Sequence, residues 1–268
     1  MKLATLALST LESFLQNRMI VLILVLAACV VLLMMFPLLN ASYHTTAENQ
    51  QSMASVVLEV ISNVMSFVSG LGSLLAAWAA VDAVSSELKS GTVLAVMARP
   101  VKRWQFLLGK FLGVMLFMAC YVGMLISVSY LLAWLGGVKI QAAPWVLLVY
   151  PLVRYSIYAA LATLCATAVH PVVSMGAIFV VSILTDVVMP GTVAWYHKVA
   201  WLKTAIYYVL PSTNLLTEGR FLSLRQAAVK QTTLLEHAIS LGYGLDCALI
   251  FLLLAMWAFH YRSLLRQD

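Results

Sequence analysis

Residues 82–135 read DAVSSELKSGTVLAVMARPVKRWQFLLGKFLGVMLFMACYVGMLISVSYLLAWL. The second half, Phe106 to Leu135, holds one charged residue, Lys110. A helix that crosses a bilayer needs roughly 20 mostly apolar residues, and this run exceeds that. The first half is polar and carries Lys89, Arg99, Lys102 and Arg103. Basic residues collect on the cytoplasmic side of membrane proteins. The stretch therefore predicts a spanning helix that rises out of a basic cytoplasmic segment.

Five further runs qualify as spans: Met19 to Leu39, Val56 to Val81, Trp145 to Val169, Val172 to Met189 and Ile239 to Phe259. The whole chain agrees with them. Of its 268 residues 63% are hydrophobic and 10% charged, against roughly 45–50% and 25% in soluble domains, and the mean hydropathy is +0.97. The expected fold is an all-α membrane protein with six transmembrane helices in one membrane domain covering residues 1–268.

Charge sets the expected orientation. With the N-terminus inside, the cytoplasmic segments hold Lys2, Arg18, Lys89, Arg99, Lys102, Arg103, Lys110, Arg262 and Arg266, whereas the short outer loops hold only Lys139. The long mixed segment 190–238 adds five more outside, but long translocated segments weigh little in this rule. Both termini are then cytoplasmic. The net charge of +6 is an orientation signal. No basic soluble face points to nucleic acid.

Before the first run, Leu3, Ala7, Leu11, Phe14 and Leu15 recur at helical spacing. Residues 1–18 are read as an amphipathic helix on the cytoplasmic membrane face. The first run lacks an A-x-A cleavage site and is expected to be retained.

Chemistry is sparse. Gly109-Lys110 is followed by Phe111, so no phosphate-binding loop is formed. The five histidines show no H-E-x-x-H pattern, and Cys29, Cys120, Cys165 and Cys247 form no C-x-x-C pair. No metal, cofactor or catalytic residue is expected on this chain.

Three features remain. In residues 82–105 the second span's helix should continue to Lys89 or Ser90 and stop at Gly91, whose left-handed conformation ends helices. Thr92 can cap a short helix, Val93 to Ala98, which Pro100 terminates. Its Val93, Leu94, Val96 and Met97 suit either an apolar groove on a partner protein or the lipid surface. The second feature is Arg154, near mid-depth of the fourth span, where an unpaired charge costs on the order of 3 kcal/mol. Asp186 and Asp246 are its candidate partners. The arrangement reads as a structural ion pair, a polar lining that meets substrate, or a snorkelling side chain. The third is small-residue spacing, Gly70-Leu71-Gly72-Ser73 and Gly109-x-x-x-Gly113, which allows close helix approach within one subunit or between two.

The string Glu87-x-x-Ser90-Gly91-Thr92, then Arg99-Pro100-Val101-x-Arg103, then Leu108-Gly109-Lys110-Phe111-x-Gly113 resembles the signature of ABC type-2 permeases. Glu12-x-x-x-Gln16-Asn17-Arg18 and Tyr207-Tyr208-Val209-Leu210-Pro211 are similar to that family too. The resemblance implies a non-enzymatic exporter subunit in the bacterial inner membrane, working as a homodimer or related heterodimer. It implies a separate cassette-type ATPase that binds ATP and Mg. Residues 92–98 would be the coupling helix, with Glu87, Gly91, Arg99, Pro100 and Arg103 framing it. Residues 1–18 would brace that interface, and 190–238 would form short re-entrant outer helices. An ion-driven secondary transporter and an ATPase-driven assembly factor are the alternatives.

Overall fold

The computed structural model describes residues 2–16, 50–90, 103–135, 144–185, 211, 213–216 and 234–264, with Val25 and Cys29. Among them every regular element is helical. The helices are α1 (Lys2–Gln16), α2 (Gln50–Ser90), α3 (Arg103–Leu135), α4 (Pro144–Ala168), α5 (Pro171–Ile183) and α6 (Leu234–Leu264), with a 3-10 turn at Thr213–Leu216 before α6.

Four helices are long and apolar enough to cross a membrane, through Ser66–Ser86 of α2, Trp104–Leu131 of α3, Trp145–Ala168 of α4 and Leu235–Phe259 of α6. These match the second, third, fourth and sixth expected spans. The expected first span lies outside the described residues apart from Val25 and Cys29. Of the fifth, α5 supplies 13 helical residues, about 20 Å at 1.5 Å per residue, followed by a widened π-type turn at Leu184–Thr185.

Two boundaries differ from the sequence reading. α2 begins at Gln50, ahead of the expected start at Val56, and runs for 41 residues. Gln50–Ser55 (QQSMAS) contains neither Gly nor Pro, so nothing there breaks a helix that the apolar run already nucleates. α6 likewise begins at Leu234, inside the segment 190–238.

α4 is the central shaft. Of its spanning window 78% is buried, against 22% for α6, and it packs on α2, α3, α5, α6 and the 3-10 turn. Two clusters meet at it. The larger joins α1, α2, α3, α4 and α5, and its α2 side is built of small residues: Ala76, Ala77, Ala79, Ala80 and Ala83. Small side chains let helix backbones approach closely where lipid offers no hydrophobic drive for association. The smaller cluster joins α4 and α6 through Tyr150, Val153, Ile157, Ala248 and Leu252, with Leu216 of the turn wholly buried among them. Gly244 of α6 gives that leucine room, because a methyl there would collide with Val153 and Leu216.

α4 and α5 meet at a tight corner. His170 is extended, its ring accepts from the Val172 amide, and Pro171 opens α5. Proline at the first helical position needs no amide proton there. α5 therefore turns straight back, burying Ser174, Ile178 and Ser182 on its inner side.

α1 has a packing partner that the sequence reading left unnamed. It is helical, with Ala7 and Phe14 buried, but Thr10 is buried as well and the helix is docked along α3. Gly109 lies under Leu6, and Gly113 under Ala7 and Thr10. The Phe14 ring meets Phe117 at 5.5 Å between centroids. The small-residue pair in α3 thus receives a helix of the same chain.

Candidate functional site

A row of large polar side chains runs along one helix of the bundle interior. Tyr150, Arg154 and Tyr158 follow one another at four-residue intervals on α4, which places them on one face. Their residual exposures are 2%, 4% and 1%. A polar group in this setting must find its partner inside the protein, and each reaches a different helix.

Tyr150 shares a 2.6 Å hydrogen bond with Nδ1 of His237 in the first turns of α6. Trp145 packs edge-on against the same imidazole, with centroids 5.3 Å apart. Arg154 donates from Nη1 to the Ser69 hydroxyl of α2 at 3.4 Å. Tyr155 donates to that hydroxyl at the same distance. Its ring lies against that of Tyr121, whose hydroxyl donates to the Val68 carbonyl at 3.0 Å. Tyr158 and Thr185 share a 2.8 Å bond. The threonine hydroxyl already donates to Val181 or Ser182, so Tyr158 is the donor. The hydroxyls of Ser156, Thr163 and Thr167 satisfy themselves on carbonyls of their own helix.

The close approach that permits this network is glycine-dependent at one point. A side chain at Gly72 of α2 would run into the Tyr155 hydroxyl and the Tyr121 ring, whereas Gly70 has open space. Beside the network, Ser69, Val122, Leu125, Ile126, Leu147, Pro151 and Tyr155 line a shallow groove. Pro151 sits inside α4. Lacking an amide proton, it releases the Leu147 carbonyl from its helical bond, and Leu147 also lines the groove.

Of the predicted intramembrane charges, the structure encloses Arg154 between α4 and α2. Asp246 is exposed. Gly244 faces α4 through Val153, and two residues further on, about 200° round the helix, Asp246 points away from it. Asp186 lies outside the described residues. The residue before it, Thr185, is bonded to Tyr158, one turn of α4 from Arg154.

Of the predicted coupling residues, Gly91, Thr92, Val93, Leu94, Val96, Met97, Arg99 and Pro100 lie outside the described residues. α2 ends at Ser90 and α3 begins at Arg103, so Glu87 stands in the last turn of one helix and Arg103 opens the next. The tyrosines, Ser69, Thr185 and His237 escaped the sequence reading. Their signal was there: tyrosines in membrane helices favour the interface, and three within nine residues of a mid-span arginine mark a polar interior face.

Among the described residues no group of three or more His, Cys, Asp or Glu is placed to hold a metal. The site offers hydroxyls, one imidazole and one guanidinium enclosed among helices. That arrangement fixes the bundle and lines a groove.

No curated protein sequence matches the chain. A family model described as ABC-2 family transporter protein matches residues 5–264, which covers every described helix but the first residues of α1. An all-helical membrane bundle without a nucleotide-binding loop is what a permease component of an ABC transporter requires, and the chain belongs to the ABC-2 transporter family.

Proposed function

We propose that this chain is the permease subunit of an ABC exporter, that it lines the translocation path with a second permease copy, and that a separate ATPase binding ATP and Mg drives it. The family match along nearly the whole chain carries the reading. The sequence between α2 and α3 supports it. α2 ends at Ser90 and α3 begins at Arg103, so two long helices flank residues 91–102, where an apolar segment (Val93, Leu94, Val96, Met97) would seat in a groove of the ATPase. In this reading the chain has six spans in the bacterial inner membrane with both termini cytoplasmic. The turn whose Thr213 and Leu216 are buried, with Leu216 against Gly244 of α6, belongs to a re-entrant outer segment. Arg154 and Asp186 form the intramembrane ion pair. ATP binding in the partner would move the bundle by favouring one of its states over another.

The test is composition and turnover. The chain purified alone is expected to hydrolyse no ATP. Isolated gently from its own membrane, it should carry a cassette-type ATPase visible by native mass spectrometry. An active transporter recovered without any ATPase chain would overturn the proposal.

A further inference from the structure

The contact between α1 and α3 is more regular than a brace needs to be. Leu6 sits on Gly109, Thr10 on Gly113, and Phe14 on Phe117. The offset between partners is constant over three successive turns, so the two helices run parallel and in register. Thr10 is 1% and Phe14 1% exposed, and on α3 Phe106, Lys110, Val114 and Phe117 are buried too. Lys110 lies over the Phe106 ring at 5.9 Å. A Cβ at Gly109 would come within 2.9 Å of the Leu6 Cβ, and one at Gly113 within 2.6 Å of the Thr10 Cβ. Contact this close leaves no room for α1 to slide or roll on α3, because packed interfaces shift between discrete arrangements and do not deform smoothly. The outer side of α1 exposes Thr5, Ser9, Glu12 and Ser13 with a single large apolar residue, Leu8, and α3 is the helix's one extensive neighbour among the described residues.

We infer that α1 and the first half of α3 form a single rigid lever, with Gly109 and Gly113 as positioning residues that seat α1. The lever delivers displacement of segment 91–102 to the bundle without the two helices separating. The inference rests on the permease reading above and adds how motion passes through it. The load path is short. α3 starts directly after that segment, and Met118, next to Phe117, and Tyr121, one turn beyond it, enter the same core as Tyr155 and Tyr158 of α4.

The test fixes the lever covalently. In a variant whose native cysteines (Cys29, Cys120, Cys165 and Cys247) are replaced, Leu6→Cys and Gly109→Cys are introduced together. Their Cβ separation needs only a small relaxation to reach the roughly 3.5–4.5 Å of a disulfide. The complex with its ATPase is oxidised in native membranes, without nucleotide and after vanadate trapping. The expected result is the same cross-linking yield in both states and ATP turnover within about twofold of the reduced complex. Turnover that falls more than tenfold on oxidation and recovers on reduction would overturn the lever, as would cross-linking in one state only. Gly109→Leu, which lifts Leu6 off its seat, is expected to retain the ATPase while losing at least fivefold in turnover. Normal turnover in that variant also counts against the lever. Failure to co-purify any ATPase would overturn the permease assignment first and the lever with it, and is told apart by the missing chain.

Discussion

At the scale of single residues, two positions carry the interior. A side chain at Gly72 of α2 would occupy the place of the Tyr155 hydroxyl, and its absence is what lets Tyr155 reach Ser69. Gly72→Val is expected to destabilise the protein by about 1–3 kcal/mol, the usual cost of overpacking a filled core. Gly70→Ala on the same helix, with nothing within 4 Å, is expected to change stability little. Thermal unfolding of both variants in detergent checks the contrast, and equal effects would mean that Gly72 is not the contact point. Arg154 is the second position. Removing one member of a buried pair leaves the other uncompensated, at a cost of about 3–5 kcal/mol. Arg154→Leu should therefore harm stability more than the double variant that adds Asp186→Asn. Additive effects of the two changes would rule that pairing out. Arg154 itself stands out in the sequence, because one charge in an apolar run is conspicuous. Its hydroxyl-bearing neighbours do not, because hydropathy averages Tyr150, Tyr155 and Tyr158 into the span. Only the four-residue spacing of Tyr150, Arg154 and Tyr158 reveals a shared face.

At the scale of elements, the sequence is legible where hydropathy and helix breakers coincide. α4 begins at Pro144 and ends beside His170-Pro171, both visible as punctuation. α2 ends at Ser90, directly before Gly91, as the glycine predicts. Where polarity changes but no breaker intervenes, as at Gln50–Ser55, the helix continues and the reading stops too early. Periodicity in α1 shows that one face is covered without showing by what, and its partner is legible only from the glycine pair in α3. The segment between α2 and α3 carries the next prediction. Burying one apolar side chain of Val93, Leu94, Val96 or Met97 in a partner groove is worth roughly 1.5–3 kcal/mol. A β-branched residue in place of Gly91 would strain the turn expected there. Leu94→Asp and Gly91→Val should therefore insert normally yet lose ATPase co-purification or uncouple its turnover. Unchanged association and turnover in both would locate the coupling surface elsewhere.

At the scale of the whole molecule, everything hangs on α4 and on which way it crosses. It is the helix that α2, α3, α5 and α6 share, so its direction fixes theirs. Lys139 precedes it and the exposed His170 follows it, which puts one marker at each end of a 25-residue helix about 37 Å long at 1.5 Å per residue. That length spans a hydrocarbon core of about 30 Å with some tilt, so the two markers belong to opposite sides. The proposed cytoplasmic placement of the basic α2–α3 connection puts the His170 end in the cytoplasm, since α2 and α4 both run toward it while α3 runs away. In a variant without native cysteines, Lys139→Cys is expected to react with a membrane-impermeant maleimide added outside intact cells. His170→Cys is expected to react only after permeabilisation; the capping bond it gives up is a long one, 3.4 Å, so the corner should persist. Reversed labelling would invert the orientation and move the ATPase-facing surface to the other end of the bundle. Labelling of both markers from the same side would mean that α4 does not cross, and the assignment of the shaft, and of Arg154 to mid-membrane, would fall with it.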